Sequence, residues 1–362
     1  MRLAYHQRFV GPIAAALMLC AGGTSLHAQD PAIERLLKKL PPPEKLVKPP
    51  VQRTVDHADV MLKDPLALSA IQNYLHGNLS ASLNATRALR QKYPRSAAAQ
   101  ELCGVLAFAT KQYAESLSAL SSALTLDPKR SSAHLGYAIV ELTQRHTAAA
   151  LPHVRRVTEL EPNWADGWVL LSSCEEEVGH KEQSAVAARR AAALAPASLG
   201  CWVQLARAEN RLGRTAASLQ ALTRAAEIEP DNAALQATVG FGYINLDRSK
   251  EAVGPLVRAA RLAPKDYLIH SQLGFALYAS GQSDAAIAQL RRGASLNPRY
   301  GPVWEHLGLA YRQRGQHREA LDAFQKASRL MPDNQHAREH LAQEQHALGV
   351  AHASNAPTRG RH

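Results

Sequence analysis

The chain has 362 residues, with 42 lysines and arginines against 31 acidic residues, and a formal net charge of +11. It is long enough for two ordinary domains, and its basic balance favours anionic neighbours such as lipid head groups, acidic polysaccharide or acidic proteins, without choosing among them. Beyond the N-terminal leader no segment is apolar enough to span a bilayer. The sequence contains no Gly-x-Ser-x-Gly elbow, no phosphate loop and no pair of Cys-x-x-Cys motifs, which removes the common hydrolase, nucleotide and zinc-ribbon classes.

Residues 1–28 read as a secretory signal peptide: Arg2 and Arg8 precede a short apolar run from Ile13 to Ala21, and the small residue Ala28 closes the segment. Leu26 stands where a small residue is commoner, so the cut is fixed only to within a few residues. Leu19 before Cys20 argues against a lipoprotein anchor. The expectation is a soluble, exported, periplasmic protein of charge about +9 once Arg2 and Arg8 leave with the leader. That compartment argues against nucleic acid as a partner.

The composition shifts over residues 29–62. Ile33, Leu36, Leu37 and Leu40 share a helical face beside Lys38 and Lys39, and the stretch from Pro41 to Pro50 comes next as a stiff spacer. Two readings stand: a docking helix on a tether, or a partly disordered lead-in to the first folded unit.

From there the chain is periodic. Pro94, Pro128, Pro162, Pro196, Pro230, Pro264, Pro298 and Pro332 stand 34 residues apart without slippage, and a fixed period of that size marks a repeat array. With each proline set as column 32 of its unit, column 30 is apolar in every full unit, from Leu126 to Leu330. Apolar residues at i, i+3, i+4 and i+7 give the first helix one buried stripe. Small residues such as Ala225, Ala259 and Ala327 let a second, antiparallel helix approach, and the proline ends it. Gly179, Gly213, Gly281 and Gly315 sit at the turn between the two helices, where a positive φ is often needed.

The unit from Gly301 to Asn334 carries Trp304, Leu307, Gly308, Tyr311, Gly315, Ala320, Phe324, Ala327 and Pro332. In this it resembles the tetratricopeptide repeat at each position of the pattern. The other units keep sizes rather than identities, as in Trp168 with Leu171, Trp202 with Leu205, and Val239 with Gly240 and Tyr243. The resemblance implies an all-α solenoid of antiparallel helix pairs forming a right-handed superhelix. Its expected parts are a degenerate unit over 63–96, seven units over 97–334, a capping helix over 335–350 with one polar side, and a disordered tail over 351–362. One continuous solenoid is expected.

Two short patterns bear on chemistry. His336, Glu339 and His340 have the His-x-x-Glu-His spacing of inverted zinc peptidases; no third ligand is identifiable, and the pattern lies on the capping helix, so a metallopeptidase is the weakest reading. Gly240-Phe-Gly242 starts like a dinucleotide loop but falls inside a first helix with no strand before it. No catalytic residue, metal or cofactor is expected. Cys103, Cys174 and Cys201 remain after leader removal; Cys174 and Cys201 lie on first helices of adjacent units, and buried thiols are favoured over their pairing.

In the family resembled, first helices line a groove with positions 2, 5, 9, 12 and 13 facing into it. On this chain those columns bring Arg207, Asn210 and Arg211 from one unit, Phe241, Ile244 and Asn245 from the next, Phe275 and Tyr278 from the third, and Arg312 from the last full unit. The arginines suit a carboxylate; the Lys-Asn pairing by which some family members hold a peptide terminus is missing. Phe241 and Phe275 are divided evenly between groove and core, while Arg207, Arg211 and Tyr278 are expected to be exposed. A second pattern, Arg156, Arg190, Arg224, Arg258, Arg292 and Lys326 in column 26, is expected to face outward, as a solvated face or as a ladder meeting an anionic surface.

The leading expectation is a non-enzymatic scaffold that binds a protein partner, a peptide or a helix, in the groove and helps assemble or regulate an envelope complex. The alternative is a protein associated with an anionic envelope polysaccharide or membrane surface, using the basic ladder and the Ile33 to Leu40 helix.

Overall fold

The computed structural model describes residues 64–349; the leader, the Pro41 to Pro50 spacer with its preceding segment, and the tail lie outside the described residues. Helices α1 (Pro65–Leu75), α2 (Leu79–Lys92), α3 (Ala97–Ala109), α4 (Tyr113–Leu126), α5 (Ser131–Thr143), α6 (Thr147–Leu160), α7 (Ala165–Val178), α8 (Lys181–Leu194) and α9 (Leu199–Arg211) belong to one compact unit. Helices α10 (Thr215–Ile228), α11 (Ala233–Asn245), α12 (Ser249–Leu262), α13 (Tyr267–Ala279), α14 (Ser283–Leu296), α15 (Gly301–Gln313), α16 (His317–Leu330) and α17 (Gln335–Ala347) belong to the second. The fold is all-α, with no strand among the described residues. Where the sequence leads one to expect a single continuous solenoid, the contacts divide the chain at Gly213, inside the repeat from Leu199 to Asn232. Within each unit every helix packs on the next, and odd-numbered helices also touch one repeat apart, as α7 does α9 and α13 does α15.

Two columns set how closely each hairpin closes. A Cβ placed on Gly104, Gly240 or Gly274 falls 2.4–2.6 Å from the branching Cγ of Leu120, Leu256 or Leu290, and one on Gly308 falls 2.6 Å from the ring of Phe324. Those are column 8 of the first helix against column 24 of the second. In two repeats of the first unit column 8 is larger and column 24 smaller, as Ala138 with Val154 and Ser172 with Ala188, all buried. A near-constant summed volume is what close packing requires. Column 20 adds a polar stitch in the first unit, where Ser82 donates to the Ala70 carbonyl at 2.6 Å and Ser116 to the Gly104 carbonyl at 2.6 Å.

The turn between helices is left-handed in every repeat. Gly77, Gly179, Gly213, Gly281 and Gly315 take φ between 72° and 95°, and Lys111, Arg145 and Asp247 take φ of 61°, 64° and 58° at the same column. The latter three bear a Cβ in a conformation that suits glycine. Arg145→Gly is expected to stabilise the first unit by about 0.5–1 kcal/mol and raise its melting temperature by about 2–4 °C, while Gly281→Arg should lower that of the second. Thermal unfolding followed by circular dichroism checks both, and a lower melting temperature for Arg145→Gly would refute the strain.

The prolines recur for a reason beyond ending a helix. From Pro94 to Pro298, each proline carbonyl accepts a hydrogen bond from the side chain six residues on, in column 4 of the next repeat. The donors are Gln100 (3.1 Å), His134 (3.1 Å), Trp168 (3.0 Å), Trp202 (2.8 Å), Gln236 (3.2 Å), His270 (3.2 Å) and Trp304 (2.8 Å). Three residue types serve because each holds an N–H at the same reach. His134 must then carry its proton on Nε2, which leaves Nδ1 to accept from His153 Nδ1 at 2.9 Å, with His153 stacked on Tyr137.

Repeat joints of the first unit are also tied by buried carboxylates. Glu175 on α7 accepts from Arg155 Nε of α6 at 2.8 Å and lies 2.8 Å from His180 Nδ1; Glu209 on α9 accepts from Arg189 Nε of α8 at 2.7 Å. Burial opposes ionisation of Glu175, but the Arg155 and His180 hydrogen bonds outweigh it and hold the carboxyl below its usual range. Cys174 and Cys201 are not paired. Each is buried in a different cluster, Cys174 among Leu142, Val154 and Leu171 and Cys201 beside Val169 and Ala191, and burial pushes the Cys174 thiol up to about 12.

Candidate functional site

The residues assigned to the groove fall into two groups that behave differently. In the first unit, Arg207 and Arg211 stand one turn apart on α9, and both donate through Nε to the same oxygen of Glu176 on α7, each at 3.0 Å. The Glu176 side chain is only 7% exposed; burial pushes its carboxyl up, and Arg211 pulls the other way. The two arginines thus neutralise an internal carboxylate of the preceding repeat. Arg207 is not the open cation expected, since its side chain is 30% exposed and burial lowers its pKa. No local pattern signals the pairing, because Glu176 lies 31 residues from Arg207 and only the fold brings them together. Asn210 is exposed on the same helix.

In the second unit, α11, α13 and α15 stand side by side and carry the aromatic group. Phe241, Ile244, Phe275 and Tyr278 are all half-buried and Asn245 is exposed. Phe241 packs on Ala237, Ala259 and Ile269, while Ile244 and Tyr278 pack on the cluster that holds Leu273 and Leu277. Phe241, Ile244 and Tyr278 each pack on the core, and all four side chains keep part of their surface exposed. The Phe275 ring lies 6.4 Å from that of Tyr278 and 4.6 Å from that of His306.

No motif singles out His306 on α15. Burial pushes its imidazole down to about 4, so it is neutral at neutral pH and extends the apolar floor beside Phe275. Its Nδ1 is buried without a hydrogen-bond partner among the described residues. Column 6 of a repeat adjoins column 9 of the repeat before, and that register was the available clue. Arg312 is turned away from this group: it donates to Gln343 Oε1 on α17 at 3.1 Å and its guanidinium lies 5.4 Å from the centre of the Phe324 ring.

The zinc-like spacing on α17 does not draw its two histidines to one point. His336 lies 3.8 Å from Glu339, whereas His340 approaches Glu305 of α15 at 3.9 Å and stacks on Phe324. Among the described residues no group of three or more His, Cys, Asp or Glu is arranged to hold a metal ion. Gly240 and Gly242 lie within α11, facing Leu256 and Leu219.

Column 26 is exposed at Arg190, Arg224, Arg258, Arg292 and Lys326 and half-buried at Arg156. Arg156 pairs with Glu159 at 2.7 Å and Arg224 with Glu227 at 2.9 Å.

Three tetratricopeptide-repeat family profiles match the chain, over residues 76–131, 199–232 and 301–334. No curated protein matches it. Among solved structures it is similar to YrrB, described as a TPR protein with an unusual peptide-binding site, at 19% identity over 51% of this chain and 96% of that one, with a TM-score of 0.46. It is also similar to MamA of MSR-1, at 25% identity over 46% of this chain and 95% of that one (TM-score 0.40), and to MamA from Desulfovibrio magneticus RS-1, at 19% identity over 47% and 97% (TM-score 0.41). The 34-residue period, the paired helices without strands among the described residues and the matched segments agree on one unit. The chain carries tetratricopeptide repeats.

Proposed function

We propose that this protein is an exported, non-catalytic scaffold that holds a protein partner, as an extended peptide or a helix, on the first-helix face of its second unit. The observation that carries the reading is the row of Phe241, Ile244, Phe275 and Tyr278, set at one-repeat spacing with an apolar edge at the surface of each. Completing the burial of a half-covered apolar side chain contributes roughly 1 kcal/mol, and a surface already shaped by packed helices loses little entropy on binding. His306 supports the same face, since a neutral imidazole beside Phe275 adds no charge to be desolvated. The arginine group is not counted toward a partner's carboxylate, because Glu176 holds it. The leader read in residues 1–28 supports export, and with it a role in assembling or regulating a complex of the cell envelope.

A photo-crosslinking residue in place of Tyr278 is expected to give discrete adducts with a protein in the native compartment. The same residue in place of Ala216, exposed on α10, should give none. Adding Phe241→Asp to the Tyr278 probe should abolish the adducts; labelling that is equal at both sites, or indifferent to Phe241→Asp, would remove the assignment.

A further inference from the structure

The cations on the second helices are not equivalent in the two units. In the first, Arg155 and Arg189 are drawn into the joints by Glu175 and Glu209, and Arg156 is held by Glu159. The carboxylates that do this at the joints sit in column 11, and in the second unit that column holds Tyr243, Leu277 and Tyr311. Arg291, the one cation of the second unit in the column of Arg155 and Arg189, therefore has no carboxylate in column 11 of the next repeat.

Toward their C-termini the second helices of these three repeats are strongly basic. Over residues 254–262 of α12, 288–296 of α14 and 324–330 of α16 the chain has six cations, Arg258, Arg261, Arg291, Arg292, Lys326 and Arg329, and no acid. All six are exposed. Arg258 donates to Gln236 and Lys326 lies over the Trp304 ring at 4.5 Å, both neutral partners. Glu319 and Asp322, toward the N-terminal end of α16, line one hollow with Arg291 and Lys326 and bound the basic stretch there. Residues three and four apart share a helix face, so columns 26, 29 and 30 point the same way in each repeat. Column 30 sets Leu262 and Leu330 among the arginines, 41% and 40% exposed.

Cations alone would suit any polyanion. Leucines held at the surface between arginines suit an interface whose outer layer is anionic and whose interior is apolar. We propose that this face of the second unit docks the protein peripherally on a membrane bearing anionic phospholipid, the arginines on headgroups and Leu262 and Leu330 at the acyl boundary. No helix among the described residues is long and apolar enough to cross a membrane, and the contact proposed for this face is one of adsorption. It uses a different face from the aromatic row, and either assignment can fail without the other.

The test is co-sedimentation of the full chain with phosphatidylcholine vesicles, with and without phosphatidylglycerol, across a salt series. Binding is expected only with the anionic lipid and should weaken as salt rises. Arg258→Glu with Arg292→Glu and Lys326→Glu should weaken it at least about 100-fold, at roughly fivefold or more per cation removed from the surface. Reversal of Lys111, Lys129 and Arg190, three exposed cations of the first unit, should leave it within about threefold, and helical circular dichroism verifies that both triple variants fold. Leu262→Asn with Leu330→Asn should weaken vesicle binding but leave binding to a soluble acidic polymer such as polygalacturonate unchanged. Equal affinity for uncharged vesicles, an undiminished α12/α14/α16 variant, or capture of polygalacturonate with no binding to anionic vesicles would overturn the proposal.

Discussion

Phe324→Ala is expected to destabilise the second unit by about 3–5 kcal/mol. Phe324 is fully buried on α16, and its ring fills the space that Gly308 leaves open on α15. Its faces meet His340 of α17 at 5.4 Å and Arg312 at 5.4 Å. Truncation therefore opens a cavity and also unseats the last helix from the last hairpin. In a repeat array stability passes between neighbours, so hydrogen exchange should quicken first in α15, α16 and α17 while the first unit stays protected. Urea unfolding measures the loss, and a value below about 1 kcal/mol would mean that the pocket collapses. Gly308→Ala should also destabilise, by about 1–3 kcal/mol through overpacking. Combining it with Phe324→Val copies the Ala138–Val154 pair of the same chain and should cost less than the two changes added separately.

Removing both partners of Glu175, as Arg155→Ala with His180→Ala, is expected to cost about 3 kcal/mol at neutral pH, because the carboxylate on α7 is left charged and buried. Its side chain is 3% exposed. The pH dependence should reverse along with the loss. In the native protein the Glu175 carboxyl is held below its usual value of 4.5, so its contribution is present above that value and fades as pH falls through the folded-state pKa. Without Arg155 and His180, burial alone acts and raises the folded-state pKa. The deficit is then greatest at neutral pH and shrinks as acid protonates the group. Urea midpoints of the two proteins should converge on acidification; a gap that stays constant with pH would show that lost side-chain packing, not charge, is responsible.

The fold was legible because repetition lets many weak signals be read in register. A single glycine at Gly240 or Gly274 says little, but small residues recurring at one column, opposite Leu256 and Leu290 at another, state a packing rule. Column 4 was legible only in part: Trp168, Trp202 and Trp304 fit the family pattern, while Gln100, His134, Gln236 and His270 join them only when their N–H groups are seen on proline carbonyls. The candidate site was harder, since its residues depend on what stands one repeat away. Arg207 reads as a ligand for a carboxylate and is one, but the carboxylate is the chain's own Glu176. His306 has no motif around it, and its neutrality stems from burial that no local pattern announces.

The hydrogen bond from column 4 to the preceding proline crosses from one repeat to the next, which makes the array divisible only in whole steps. Excision of residues 267–300 would join Asp266 to Gly301 and present Trp304 to the Pro264 carbonyl at the offset His270 now occupies. Excision across the joint of a length that is not a multiple of 34 would leave the proline carbonyl facing a side chain from another column. Such a chain can shorten or lengthen over evolutionary time by unequal recombination, one hairpin per event, with its seams intact.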